Sequence, residues 1–180
     1  SLSDILVFGK RAGDAAADYA KATQQGAIHQ DQVDEETQLL LAPLERSSGD
    51  NPYRIHQELQ EAMQADCMIA RTEEGLSRCL EVIEGLQERS LEMHVPGDRA
   101  YNPGWHAARD VRFMLQTSEI IVRCALARKE SRGAQWRLDY LDMDPVWGKQ
   151  NLIARRSGAS VVIETRPLPE MPEELAKLFE

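Results

Sequence analysis

The chain is predicted to be mainly α, with an antiparallel, spectrin-repeat-like three-helix bundle at its centre, and three observations carry that prediction. Three long segments between residues 51 and 130 repeat apolar residues at helical spacing and are separated by turn-rich links. An N-terminal stretch is rich in small residues, also at helical spacing. Two short β-rich runs flank a Ser-Gly pair near the C-terminus.

Taken in order, residues 2–24 read as one helix, with Ser1 and Ser3 as N-cap residue types, Asp4 in the first turn, and Ile5, Leu6 and Phe8 opening an apolar face. Gly9, Ala12, Gly13, Ala16, Ala17 and Ala20 crowd it with small side chains, which lets a neighbouring backbone or flat ligand come close. A shorter helix over 31–45 is expected to turn Leu39, Leu40 and Leu44 inward, before Ser47, Ser48 and Gly49 break it. Asn51 as N-cap and Pro52 at the first helical position start the next, with Ile55, Leu59, Met63 and Ala70 near one face and an end at about Arg71. Thr72, Glu73 and Glu74 start another, whose Leu76, Leu80, Ile83 and Leu86 continue to roughly Glu92. The loop HVPGDRAYNPG, residues 94–104, ends it; RAYNPGWH, residues 99–106, is compatible with a ligand-binding loop, but the favoured reading is a helix entry in which Asn102 caps and Trp105 covers the bundle end. Residues 105–129 carry Val111, Met114, Leu115, Ile121, Val122 and Ala125 along one face.

The tail differs in kind. Runs 151–155 and 160–166 around Ser157 and Gly158 form a hairpin, Pro167, Pro169 and Pro172 interrupt regular structure, and a short helix follows at about 173–179. The resulting division is 1–48 as the end of a preceding domain and a linker, 49–145 as the bundle, and 146–180 as an extended tail with a hairpin.

Composition bounds the function. In 180 residues, 30 Asp and Glu outweigh 21 Lys and Arg for a net charge of −9, which argues against a nucleic-acid surface. No apolar run approaches the roughly 20 residues that cross a bilayer. Cys67, Cys79 and Cys124 are odd in number and widely spaced within helical patterns, as expected of reduced thiols in a cytosolic setting. His29, His56, His94 and His106 form no pair with metal-ligand spacing, so no metal site is expected. GKRAG at residues 9–13 lacks the spacing of a phosphate-cradling loop. The acidic pairs Glu35–Glu36 and Glu73–Glu74 suit helix starts better than acid–base chemistry.

ESRGA at 130–134, with Gln135, Trp136 and Arg137 after it, ends the longest helix, and Gly133 suits a left-handed C-cap there. Together with SLSDILVFGKRAG at the start, which reads as the inside of a motif, and DVRFMLQTSEIIVRCAL at 110–126, it resembles the C-terminal part of succinate dehydrogenase and fumarate reductase flavoproteins. The matching residues are Ser1, Leu2, Asp4, Leu6, Val7, Phe8 and Gly9, then Glu130, Ser131, Arg132, Gly133, Ala134, Arg137, Asp139 and Tyr140. Gln135 stands where the family motif usually has histidine.

The resemblance implies a piece of an FAD-dependent oxidoreductase that interconverts succinate and fumarate by hydride transfer to flavin, inactive alone. It places Ser1 and Leu2 beside the isoalloxazine of FAD and makes Arg132 and Arg137 the site candidates within the bundle region. Its implied partners are upstream FAD-binding and capping domains, a small dicarboxylate substrate and an iron–sulfur subunit, without nucleic acid or direct membrane insertion. The place is the cytoplasm, or the cytoplasmic membrane face through partner subunits. L-aspartate oxidase and adenylylsulfate reductase share the architecture, and an independent helical interaction module is the reading of another class.

Overall fold

A computed structural model describes residues 2–158 and 160–178, except the side chain of Ala176; Ser1, Ala159, Phe179 and Glu180 lie outside the described residues. The chain divides into two compact units, residues 1–39 and 40–180.

The first unit holds helix α1, Leu2–Ala22, and the start of α2, Gln30–Glu45. Asp4 in the first turn and Lys21 in the last complement the α1 dipole, and Lys10 bonds Asp14 one turn on at 2.5 Å. None of the 21 residues of α1 is buried. A Cβ added to Gly9 or Gly13 would meet nothing within 4 Å.

The second unit is built on α3 (Pro52–Asp66), α4 (Glu73–Ser90) and α5 (Pro103–Ala127), each packed against the other two. Their starts are the expected ones: the side chains of Asn51, Thr72 and Asn102 accept from Tyr53 N, Gly75 N and Trp105 N. Ile55 and Leu59 of α3, Leu76, Cys79, Ile83 and Leu86 of α4, and Val111, Leu115, Val122 and Ala125 of α5 form one core, closed by Met93 and Val95. Burial of each such aliphatic side chain contributes roughly 1.5–3 kcal/mol. Arg89 ties the end of α4 to the start of α3, through Asp50 Oδ2 at 2.7 Å and both oxygens of Glu58. All three cysteines are free; burial pushes the thiols of Cys67 and Cys124 up, and that of Cys79 to about 11.

Several expectations need correction. Helix α3 stops at Asp66, and Ala70 is exposed in a two-residue strand, β1, Ala70–Arg71. The Arg71 guanidinium donates to the carbonyls of Cys67 at 3.2 Å and Met68 at 2.6 Å, and β1 pairs in parallel with β2, Trp136–Arg137. That partner lies far along the sequence, beyond the reach of helical periodicity. Leu39 is exposed, whereas Leu40 and Leu44 are half-buried and Pro43 is the buried residue of α2. Met114 and Ile121 flank the buried stripe of α5 and remain exposed. Gly133 is left-handed, with φ 59°, but it serves a tight turn between Arg132 and Gln135 several residues past the end of α5.

The tail forms the antiparallel hairpin of β3 (Gln150–Ser157) and β4 (Ser160–Pro167), in register from Gln150–Pro167 to Ser157–Ser160, with Gly158 at φ 61° in its turn. It packs on α5 and is followed by the single turn α6, Glu173–Ala176. No helix among the described residues is long and apolar enough to cross a membrane.

Candidate functional site

The segment after α5 folds around two buried charges. Glu130 and Arg137 both have no exposed surface, the one carboxylate and the one guanidinium in the described chain so enclosed. Burying a charge is costly unless it is paired and hydrogen-bonded, so their partners decide whether this region can exist.

Glu130 is satisfied on both oxygens. Oε1 accepts from Arg128 Nη1 and from Arg132 Nε at 2.9 Å, and Oε2 from Arg132 Nη2 at 3.0 Å and the backbone N–H of Asp144 at 2.8 Å. The Arg132 bonds, helped by those of Asp144 and Arg128 and opposed by burial, hold its carboxyl at about 2. Arg132 reaches this position across Gly148, where a Cβ would come within 2.8 Å of Nη2. Arg128 spans onward to the carbonyl of Gln150 at 3.0 Å and lies over the Trp147 ring at 5.3 Å, joining the turn to the base of the hairpin.

Arg137 forms a fork with Asp139, Nε to Oδ1 and Nη2 to Oδ2, both 2.8 Å. Its Nη1 donates to the carbonyl of Ala125 at 2.8 Å, in the last turn of α5, where orphan carbonyls and the negative dipole end favour a cation. Tyr140 covers its other side at 5.0 Å. Asp139 in turn accepts from the N–H of Glu73 at 2.8 Å, at the first residue of α4. The Arg137 fork holds the Asp139 carboxyl at about 2. One ion pair therefore caps the C-terminus of one helix and the N-terminus of another.

Gln135 completes the junction. Its Oε1 accepts from Arg71 Nη1, while Nε2 donates to the carbonyls of Ala125 at 3.2 Å and Arg128 at 3.4 Å. Ser131 Oγ accepts from Arg137 N at 2.9 Å and donates to Tyr140 O at 2.8 Å.

Of the four site residues expected from sequence, the structure brings Arg132 and Arg137 into this knot. Arg137 has no surface to offer a ligand, and Arg132 spends its guanidinium on Glu130 and the Asp144 carbonyl at 3.2 Å. Glu130, held so acidic, is a fixed anion at neutral pH and no proton donor. Leu2 opens α1 and is 81% exposed; Ser1 lies outside the described residues. Sequence reasoning missed Arg71, Arg128, Asp139 and Asp144 as partners. For the last three the signal was the density of opposite charges in RKESRGAQWRLDYLDMD, but spacing alone does not pair them, and Arg71 lies far outside that stretch. Among the described residues, no group of three His, Cys, Asp or Glu could hold a metal.

Comparison with known proteins identifies this arrangement. The family model described as "Fumarate reductase flavoprotein C-term" matches residues 56–176. A fumarate reductase (CoM/CoB) polypeptide of Methanothermobacter marburgensis is 31% identical over 156 residues, 87% of this chain and 28% of that protein. In the Sdh1 complex of Mycobacterium smegmatis, one chain superimposes with a TM-score of 0.91 at 40% identity, over 99% of this chain and 31% of that one. Adenylylsulfate reductase from Archaeoglobus fulgidus, at 20% identity and a TM-score of 0.75 over 88% of this chain and 28% of that one, shares the fold alone. The chain thus spans about three-tenths of the length of the relatives it matches. Its capped bundle, its polar knot and these likenesses together place it in the family of succinate dehydrogenase and fumarate reductase flavoprotein subunits, as their C-terminal domain.

Proposed function

We propose that the chain is the C-terminal part of an FAD-dependent oxidoreductase that interconverts succinate and fumarate, and that residues 1–48 close its FAD-binding domain. The observation that carries this reading is α1, a 21-residue helix with no buried residue whose first turns expose Leu2, Ile5, Leu6 and Phe8. An apolar face of that length, with no buried residue among those described, is suited to a surface supplied by the longer protein.

The residues present fit the edge of a flavin. Leu2 and Ile5 offer apolar contact, and the start of α1 brings the positive end of the helix dipole. Ser1 and Leu2 would hold the ring edge there. FAD supplies the hydride acceptor, and the protein contributes position and electrostatics. The helix start favours added negative charge, and the knot fixes how α4 and α5 meet within the bundle. Arg132 and Arg137 act as positioning residues, since their guanidinium groups are committed to Glu130, Asp139 and helix carbonyls. The substrate-gripping and proton-transferring groups belong upstream, and an iron–sulfur protein partner takes the electrons. The complex then sits in the cytoplasm or on the cytoplasmic face of a membrane.

Two measurements test the reading. The 180-residue chain should neither retain FAD at micromolar concentration nor oxidise succinate, because one helix end is only an edge of a flavin pocket. In the full-length enzyme, Ser1→Pro should lower the flavin potential, since the anionic reduced form loses more stabilisation; ~1.4 kcal/mol corresponds to ~30 mV for two electrons. A spectroelectrochemical titration with FAD bound and the potential unchanged or raised would remove this role from the helix.

A further inference from the structure

We infer that Met63, Cys67 and Cys79, where the end of α3 packs on α4, form a binding site for one soft monovalent metal ion, copper(I) or its analogue silver(I). Cys79 Sγ lies 3.7 Å from Met63 Sδ, so two sulfurs touch across the helix interface. Cys67 follows Met63 by one helical turn, and its N–H donates to the Met63 carbonyl at 3.0 Å. Both thiols are buried in the bundle core, with Met63 packed against it. The charge of Cys67 adds to burial in raising the Cys79 thiol, as it does only between close neighbours.

Two thiols and a thioether make a soft donor set. Zinc takes four ligands drawn from thiolate, imidazole and carboxylate, whereas thiolate and thioether together select copper(I). Methionine is what completes the set, and spacing patterns of histidine and cysteine do not count it. Sulfurs bound at about 2.3 Å to one ion stand about 3.8–4.0 Å apart at tetrahedral to trigonal angles. The contact between Met63 and Cys79 is already close to that spacing, so these two ligands need little movement to share an ion.

Charge decides whether such a centre can exist among apolar side chains. As copper(I) binds, the S–H bonds of Cys67 and Cys79 break, both protons pass to the buffer, and two thiolate–copper bonds form beside the one to Met63; copper keeps its oxidation state. The centre then carries one net negative charge. Arg71 supplies the counter-charge, because its half-buried guanidinium donates only to neutral oxygens, those of Cys67, Met68 and Gln135, and it already works against burial by favouring the Cys67 thiolate. Asp66, which disfavours a thiolate at Cys79, is itself engaged by Arg78 Nη2 at 2.7 Å. Cys67 is the C-cap of α3, and exposed Met68 and Ile69 follow it, so the sulfurs lie at an end of the bundle where a local opening admits an ion.

Copper(I), offered anaerobically to the reduced 180-residue chain as its bicinchoninate complex, tests this through loss of the visible band of that complex, with native mass spectrometry for the stoichiometry. One ion per chain should be withdrawn, X-ray absorption should show sulfur neighbours alone, and the melting temperature should rise because the folded form is the one that binds. Met63→Leu keeps the apolar volume and should weaken binding by about tenfold or more, while Cys79→Ala should abolish it. Arg71→Gln should weaken binding and Arg71→Lys recover most of the loss, since a counter-charge is what the centre requires. Cys124→Ala, on α5, should bind as the parent does. Copper left on bicinchoninate, nitrogen or oxygen neighbours, a lowered melting temperature that marks binding to the unfolded chain, or a Met63→Leu variant with undiminished affinity would each overturn the inference.

Discussion

The bundle core and the knot that follows it are adjacent and hold together by opposite means. Fourteen buried apolar residues stabilise the bundle without regard to direction, through the area they remove from water. The knot buries Glu130 and Arg137, and every part of its stability depends on donor–acceptor geometry. A core of the first kind accepts changes that keep volume, and a knot of the second kind does not accept even changes that keep charge. The difference assigns the two regions different tasks. The bundle supplies stability, whereas the knot fixes how α4, α5, β1 and the hairpin meet.

The largest expected effect breaks the first half of that comparison. Leu115→Asp places an unpaired carboxylate in the centre of the bundle and should cost about 3–5 kcal/mol, whereas Leu115→Met should cost under about 1.5 kcal/mol. Urea unfolding of the two variants checks it, and equal losses would deny that the core works through apolar volume.

Arg137→Lys comes next. Lysine keeps the charge but cannot form the fork with Asp139 while also reaching Ala125 O, so about 2–3 kcal/mol should be lost despite the conserved charge. Because Asp139 caps α4, amide exchange at Glu73 and Glu74 should accelerate more than at Ile83 in the core. A Lys variant as stable as the parent would show that the fork is dispensable.

The same contrast explains what the sequence made legible. The bundle was readable because local signals suffice: Asn51, Thr72 and Asn102 cap the helices they precede, and Leu76, Ile83, Val111 and Leu115 bury the stripe that period 3.6 marks out. The end of α3 was misplaced because Arg71 answers to Gln135 and β1 to β2, contacts between segments more than sixty residues apart. The knot was recognisable as a string but not as a structure. Arg132 and Arg137 looked like residues awaiting a ligand, and only geometry shows their partners to be Glu130, Asp139 and helix carbonyls. Ser1 and Leu2 belong to a third case, since their proposed partner is not in the chain.

Acid should separate the regions further. Glu130 and Asp139 titrate at about 2 in the folded chain, against ordinary values of 4.5 and 3.8. Between those values and about 2 the unfolded chain binds more protons than the folded one, so stability rises with pH there. The contribution of the knot is complete above the ordinary carboxylate range and is lost as pH falls toward 2. Asp50 and Glu58, lowered less far, add a weaker dependence in the bundle. Glu130→Gln should therefore be less stable at pH 7 but show a shallower loss from pH 5 to pH 2.5, measured by urea midpoints across that range. An unchanged slope would mean that Glu130 titrates normally.

The smallest expected effect sharpens the comparison at its edge. Gln135 gives an acceptor to Arg71 and donors to the carbonyls of Ala125 and Arg128, through a side chain with no titratable group. A neutral histidine, the residue usual in the family motif, could also accept from Arg71 and donate to one carbonyl. Gln135→His should therefore cost no more than about 1 kcal/mol at pH 8. Protonation would turn the acceptor into a second donor facing the Arg71 guanidinium, which disfavours the charged ring and lowers the folded pKa of the new side chain below its unfolded value near 6.5. The unfolded chain then binds the extra proton first, and the stability present above that value is lost as pH falls through the folded pKa. Thermal melts at pH 8 and pH 5.5 should show a difference for Gln135→His that the parent lacks. An equal response in the two proteins would mean that Arg71 does not face position 135 closely enough to sense its charge.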